Sequence, residues 1–255
     1  MNNLILQNVS TKEIRTVVQA VALSDKNEYN VIRSDMDHLS NYSEELKTAV
    51  PIGSVEFVRK AMEIAGIQEP CVDPYPLFIE EEKTVFKRKI QIQKVFPNDL
   101  SDFEGMFVKP FKVKQFTGFV YTSENCEEFI EEQKNTFSKI RTYVWVSDVV
   151  DFIGEWRYYI QNEKIIGYAR YDDDDENPEE LQEPDRSLIK EYIAKLEIKH
   201  PYVLDFGILS TGETALVEFN DFWAIGLYEN AITPKQYLEC LIERWKSICE
   251  QSKTA

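Results

Sequence analysis

The stretch YVLDFGILSTGETALVEFNDFWAIGLY, residues 202–228, narrows most what this chain can become. Two apolar runs flank Ser210, Thr211, Gly212 and Glu213, turn residues suited to an antiparallel hairpin. The first run carries one acid, Asp205. In the second, strict alternation puts Ala215, Val217 and Phe219 on one face and Leu216, Glu218 and Asn220 on the other. Asp205 then sits across from Glu218 and Asn220. An acid inside an apolar strand is costly unless it is paired or acts as a ligand. Three oxygen donors on rigid neighbouring strands suit Mg²⁺, which takes one or two carboxylates and fills its octahedron with water and nucleotide phosphates. An edge hairpin that turns its polar residues to water accounts for the same pattern. Phe222, Trp223 and Gly226 suggest a packed turn beside the site.

Charge and composition exclude several partners. The formal net charge is −16 over 255 residues, which argues against nucleic-acid or anionic-membrane binding by the whole surface. The opening MNNLILQNVS is too short and too poorly flanked by positive charge for a signal peptide, and no stretch reaches membrane-spanning length. The four cysteines, Cys71, Cys126, Cys240 and Cys249, lack the paired spacing of a zinc or dithiol motif. The expectation is a cytoplasmic protein with reduced thiols. Histidine occurs only as His38 and His200, which leaves little for chemistry built on a histidine base; His200 before Pro201 reads as structural.

Taken in order, residues 4–6 form a short strand, residues 12–23 a helix through Ile14, Val17, Val18 and Val21, and residues 29–33 a second strand. Ser54 caps a helix that Gly66 ends. Prolines 74 and 76 favour extended backbone at a crossing between lobes. A basic segment with Lys87, Arg88, Lys89 and Lys94 invites an anion or forms a solvated strand face. Residues 105–121 give two strands joined by a loop with Lys109, Lys112, Lys114 and Gly118. The Lys109 ammonium must find a polar destination, either phosphate or solvent. Ser123 caps a further helix to about residue 134.

Residues 139–171 read as three strands with a turn at Asn162 and Glu163. Glu155, Arg157 and Tyr159 share one face of the middle strand; Lys164, Tyr168 and Arg170 share a face of the next. Two arginines on adjacent strands fork onto phosphate oxygens or pair with glutamates across the sheet. The acidic run at residues 172–180 reads as a solvated loop. Beside a cleft, it would raise the local concentration of a cationic acceptor. Residues 187–196 are helical, and a Thr233–Gln236 capping box with Pro234 opens a terminal helix through Leu238, Leu241, Ile242, Trp245 and Ile248. No Gly-rich phosphate loop precedes any helix, so nucleotide binding here would rely on lysines, arginines and metal projecting from sheets.

The internal lysine in FVKP, the strand EWRYYI, the acid in YVLDFG and the pair in VEFND resemble the ATP-grasp superfamily in order and spacing over residues 105–245. The likeness is to its small single-chain bacterial and phage ligases in which lysine replaces an arginine. It implies an α/β (α+β) fold with an N-terminal lobe over residues 1–76 and two sheet-rich lobes, 77–148 and 149–255, that clasp ATP. It implies that Lys109 contacts ATP phosphates and that residues 114–118, with Lys114, Thr117 and Gly118, close over them. Residues 145–150, with Trp145, Val146, Ser147 and Val149, look like the hinge that reads adenine. Asp205, Glu218 and Asn220 match the family's magnesium ligands, with Glu218 placed to bridge two ions. Glu155, Arg157 and Arg170 look like contacts to the phosphoryl or substrate region. The sequence departs from the family just before Asp205, where many members carry an arginine.

The activity implied is ATP-dependent ligation of a carboxylate and an amine, amino acid or peptide, through an acylphosphate. No nucleic acid or membrane is implied as a partner, and the oligomeric state is left open. A non-catalytic nucleotide-binding scaffold is the alternative. A kinase-like phosphotransferase copies Val108-Lys109 and Asp205-Phe206-Gly207 but lacks the Gly-rich and His-Arg-Asp loops. Recognition of the two substrates would fall to Gly53-Ser54, residues 70–76 and the acidic run.

Overall fold

The computed structural model describes residues 2–77, 83–95, 100–111, 117–124, 142–171, 181–228 and 231–254. The chain begins β1 (Asn2–Gln7), α1 (Lys12–Ala22), β2 (Tyr29–Ser34), β3 (Val50–Ile52) and α2 (Val55–Ala65). The strands pair in parallel in the order β2-β1-β3. The central β1 buries Leu4, Ile5 and Leu6 completely, so its sequence is an unbroken apolar run rather than an alternation. The expected caps are present. Ser54 accepts from Phe57 N at 3.2 Å, and Gly66 leaves α2 at φ +67°. Along α1 the buried stripe is Ile14, Val17 and Ala20, while Val18, expected on that stripe, is 38% exposed.

A second sheet follows. After α3 (Lys83–Phe86), strands β4 (Ile90–Val95), β5 (Phe107–Pro110), β6 (Phe119–Val120) and β7 (Thr142–Ser147) form an antiparallel sheet in the order β4-β7-β5-β6. The basic segment thus contributes an edge strand. The helix expected after Ser123 and the loop carrying Lys112 and Lys114 lie outside the described residues.

The third sheet holds β8 (Phe152–Gln161), β9 (Lys164–Arg170), β10 (Tyr202–Leu209) and β11 (Thr214–Asp221) in the order β11-β10-β8-β9, all antiparallel. The β8–β9 turn sets Asn162 at φ +49° and Glu163 at φ +60°, the paired left-handed residues of a two-residue hairpin. One face of this sheet, through Tyr158, Leu204, Phe206 and Leu216, packs on α4 (Arg186–Leu196). The opposite face, through Tyr159 and Val203, shares one core with the N-terminal sheet and α5 (Pro234–Thr254). Thr233 and Gln236 cap α5 reciprocally, at 3.0 and 3.2 Å.

Two bulges overturn the alternation expected from sequence. Asp205 pairs with Glu218 but the next residue, Phe206, pairs with Leu216, so Val217 is extra. Leu216 therefore joins Phe219 in the core, and Glu218 and Asn220 share the face of Asp205 without it. In β9, Ile160 pairs with Ile165 and Tyr159 with Gly167, leaving Ile166 extra. This bulge parts Lys164 from the face of Tyr168 and Arg170. Gly167 is where the backbone of residue 231 crosses the sheet. A Cβ there would lie 1.9 Å from the Ala231 carbonyl oxygen, and backbone cannot yield as a flexible side chain does. Gly167→Ala is expected to destabilise the fold by about 3 kcal/mol, measured as a lowered urea midpoint.

Candidate functional site: a carboxylate cluster between two sheets

Every residue of β10 is buried, Asp205 included at 1% exposure. A carboxylate in that position needs a partner. The β8–β10 register supplies one by setting Arg157 directly across from it. Arg157 Nε donates to Asp205 Oδ1 at 2.9 Å and Nη2 to Oδ2 at 2.7 Å, a two-pronged fork of the strong charge-assisted kind. Asn220 Nδ2 donates to Asp205 Oδ2 at 3.0 Å and to Glu218 Oε1 at 2.7 Å. Glu218 Oε2 accepts from Lys109 Nζ, which arrives from β5 of the other sheet. Five side chains from four strands thus form one chain of contacts.

Aromatic rings and loops hold this cluster in place. Lys109 Nζ lies 5.3 Å from the centroid of the Tyr75 ring. Arg157 lies 5.4 Å from Tyr171 and 5.1 Å from Tyr228, two rings stacked on each other at 5.0 Å. The Tyr159 hydroxyl donates to Gly226 O and accepts from Tyr228 N, both at 3.0 Å, and Glu13 Oε1 accepts from Leu227 N at 3.2 Å. These bonds fix residues 226–228 beside Arg157. The bulge under Glu218 has its own support, because Arg88 donates to Leu216 O at 2.8 Å and to Val217 O at 3.1 Å. Tyr171 donates its hydroxyl to Glu155.

Burial raises the Asp205 carboxyl to about 6, with Arg157 pulling it back and Glu218 and Glu155 pushing the same way as burial. It is therefore ionised at neutral pH and protonates readily below it. Burial also presses the Glu218 carboxyl upward, but Lys109 and Asn220 outweigh it and hold the group below the ordinary carboxylate range. The Lys109 ammonium loses hydration yet is held above its ordinary value by Glu218. Burial raises the Tyr171 and Tyr159 phenols, which stay protonated and available as donors.

The site joins some of the residues expected from sequence and separates others. Lys109, Glu155, Arg157, Asp205, Glu218 and Asn220 gather as described. Arg170 does not join Arg157. It pairs with Trp156, which faces the α4 core, and its guanidinium lies over the Trp156 ring at 5.5 Å. Adjacent residues of a strand point to opposite faces, so the expected two-arginine fork is absent from this pair of positions. Lys114 lies outside the described residues; Thr117 is exposed and Gly118 packs against Phe107. Trp145 is buried, stacked on Phe111 at 5.7 Å and edge-on to Tyr75 at 5.2 Å. Val146 points into the core with Val108, Ser147 is buried, and Val149 is 52% exposed.

The basic segment binds within the protein. Arg88 reaches the bulge, Lys87 pairs with Glu213 at 2.9 Å, and Lys94 lies over Tyr143. Sequence reading missed Arg88, Tyr75, Tyr171 and Tyr228 as parts of the site. It also missed Arg244, which forks Asp221 at 2.7 and 2.6 Å beside Asn220. No local signal singled them out, since Arg88 lies between Lys87 and Lys89 and Arg244 between Glu243 and Trp245, and their partners lie elsewhere in the chain.

Two carboxylates and an amide form a hard oxygen set of the kind Mg²⁺ takes together with waters and phosphate oxygens. Among the described residues no group of three or more His, Cys, Asp or Glu is placed to hold a metal, so the Asn220 amide would have to complete a set with Asp205 and Glu218. For Mg²⁺ the Asn220 amide must present its oxygen, and Lys109 must release Glu218.

The mixed α/β build with three sheets is the fold class expected from the sequence; Lys109 meets Glu218 rather than the phosphate or solvent expected for it. Residues 86–240, more than half of the chain, match the family described as ATP-grasp domain, arginine-to-lysine clade, family 2. The chain belongs to that family, and its fold is the ATP-grasp fold. Among solved structures, a D-alanine–D-alanine ligase from Bacillus anthracis complexed with ATP is similar at 14% identity, with 98% of each chain covered and a TM-score of 0.57. An N5-carboxyaminoimidazole synthase from Aspergillus clavatus, bound to ADP and an aminoimidazole ribonucleotide, is similar at 11% identity and TM-score 0.55, covering 94% of this chain and 77% of that one. The macrocyclase MdnC from Microcystis aeruginosa, bound to its precursor peptide MdnA, is similar at 13% identity and TM-score 0.51, covering 95% and 99%. No curated protein sequence matches the chain. Among the described residues no helix is long and apolar enough to cross a membrane.

The Arg157–Asp205 fork makes the two acids unequal in what they do for folding. Asp205→Asn leaves a buried guanidinium without its counter-charge and is expected to cost about 3 kcal/mol or more. The Glu218 and Lys109 side chains are 26% and 19% exposed, so Glu218→Gln should cost less than Asp205→Asn. Chemical denaturation of the two variants checks the difference.

Proposed function

We propose that the chain is an ATP-dependent carboxylate–amine ligase that joins amino acids or peptides. The observation that carries this reading is the contact between Lys109 of one sheet and Glu218 of the other, in line with Asn220, Asp205 and Arg157. Such a line offers cations for phosphate oxygens next to oxygen ligands for a divalent ion. Phosphoryl transfer of this kind depends on positioning and charge stabilisation rather than on a covalent nucleophile on the protein. The site accordingly contains no serine–histidine or cysteine–histidine pair among its described residues.

In this reading a substrate carboxylate takes the γ-phosphoryl group, giving an acylphosphate and ADP. An amine then attacks the carbonyl carbon, and phosphate leaves as the amide forms. Asp205, Glu218 and Asn220 would hold magnesium, with Glu218 shared where two ions bind. Bound magnesium supplies charge neutralisation to the phosphates. Lys109 would exchange Glu218 for a phosphate oxygen, and Tyr75 would keep its ammonium aimed into the cleft. Arg157, held by Asp205 and flanked by Tyr171 and Tyr228, orients the acid it forks and adds positive charge at the cluster. Lys114, Thr117 and Gly118 would close over the phosphates, and residues 145–150 would meet the adenine.

Purified protein given ATP, magnesium and a pool of amino acids and short peptides is expected to release ADP and phosphate and to yield an amide detectable by mass. Glu218→Gln should lower that rate roughly 100-fold or more while the protein remains folded. No ADP release across a broad pool would favour a nucleotide-binding scaffold. The pH profile offers a further check. In the free enzyme Asp205 protonates as pH falls through about 6, losing the charge that a metal and Arg157 both require. The value of kcat/KM, which reports free-enzyme ionisations, should fall on the acid side with a midpoint near 6; a profile flat down to about pH 5 would contradict that role for Asp205.

A further inference from the structure

A cavity of about 330 Å³ opens directly beside the carboxylate cluster, and Asn220 belongs to both. Its walls come from four parts of the chain: Val55 and Arg59 of α2, residues 68–72 beyond it, Phe111 just after β5, and residues 220, 221 and 223–225 at the end of β11 and after it. The volume falls at the lower end of the range for small-molecule clefts, roughly 300–1,000 Å³. A wider opening of about 680 Å³ beside Tyr228 is lined by none of the cluster's carboxylates.

The charge of this wall is internally balanced among the described residues. Two acids line it. Glu69 is forked by Arg59, with bonds of 2.8–3.0 Å, and Asp221 is forked by Arg244 at 2.6 and 2.7 Å. A cationic group entering the cavity would have to compete with an arginine already in place for either acid. The remaining surface is largely apolar, through Val55, Val72, Phe111, Trp223, Ala224 and Ile225. Trp223 is 7% exposed, and its indole N–H has no hydrogen-bond partner among the described residues. A largely apolar wall whose two acids are already paired favours a group that is bulky and uncharged.

Resting on the ligase reading, we infer that this cavity receives a substrate amino acid or peptide residue with a large, uncharged, aliphatic or aromatic side chain. The substrate's reacting end lies toward Asn220 and its side chain against Val72, Phe111 and Ile225. The cavity wall itself offers no unpaired carboxylate among its described residues to a cationic acceptor of the kind the acidic run at residues 172–180 would attract.

Cys71 lines the cavity and is exposed, which gives a readout independent of turnover. The full-length protein, held with magnesium and a non-hydrolysable ATP analogue, is alkylated with iodoacetamide, and modification at Cys71 is followed by peptide mapping. The probes are alanyl dipeptides of leucine, phenylalanine, lysine, arginine, aspartate and glutamate, in both orders. Leucine and phenylalanine probes are expected to slow Cys71 labelling roughly fivefold at concentrations several times their Kd, with little effect from the charged probes. Val72→Asp should abolish protection by the leucine probe, and circular dichroism verifies that the variant folds. Equal or stronger protection by charged probes, or no protection by any, overturns the inference. The same probes are assayed for ADP release with ATP. ADP release without Cys71 protection leaves the ligase reading standing and removes this one, whereas protection without ADP release upholds only the cavity's preference for an uncharged side chain and counts against both the ligase reading and the assignment of the bound peptide as its substrate.

Discussion

The fork between Arg157 and Asp205 is the constraint on which the site depends. Asp205 sits in a strand whose eight residues are all buried, where a lone carboxylate is not tolerated. Pairing it requires that β8 and β10 align with these two residues opposite each other. A slip of one residue would turn Arg157 to the α4 face and leave both charges unsatisfied in apolar surroundings. The ion pair therefore selects the strand register as much as it stabilises the sheet. Apolar residues in its place could be neutral for stability, so its presence fits a role in chemistry.

From that register the rest of the cluster follows by short steps. Glu218 lies across β10 from Asp205, and the bulge at Val217 lets Asn220 share its face while Leu216 returns to the core. Bulges re-aim side chains in this way at functional positions. Arg88 satisfies both carbonyls exposed by the irregularity, and it is stacked over Tyr75, the same ring that carries Lys109. One tyrosine thus touches the cation that braces the bulge and the cation that meets Glu218. Tyr75 itself is placed by the crossing segment, since Phe219 N donates to Pro74 O at 2.9 Å and Tyr192 to Pro76 O at 2.6 Å.

The N-terminal sheet contributes to the site through packing. Its core is continuous with α5 and with the Tyr159 face of the third sheet. Glu13 of α1 holds Leu227, and Tyr159 holds the residues on either side, so the stacked Tyr171–Tyr228 pair is tied to the N-terminal helix and to β8. The cavity beside Asn220 lies on the same seam between α2 and residues 220–225. Ligand clefts commonly form where lobes meet, because neither lobe alone provides walls on both sides.

Local rules carried much of this architecture. The caps at Ser54 and Thr233, the left-handed exit at Gly66, the two-residue turn at Asn162 and Glu163 and the hairpin around Gly212 depend on a few neighbouring residues, and they were legible in the sequence. The acid in an apolar strand, its amide and acid neighbours across the hairpin, and Lys109 were legible because each is a polar anomaly in a periodic run. Tertiary structure decided what those anomalies meet. The two bulges shift the register by one residue, which moved Leu216 and Lys164 to faces that strict alternation denied them, and no local propensity marks Val217 or Ile166 as the extra residue. Arg170 is turned from Arg157 by pairing with Trp156. Arg88, Arg244 and the tyrosines around Arg157 meet partners far along the chain, and such contacts follow from how sheets and helices stack, which pattern within a strand or helix does not encode.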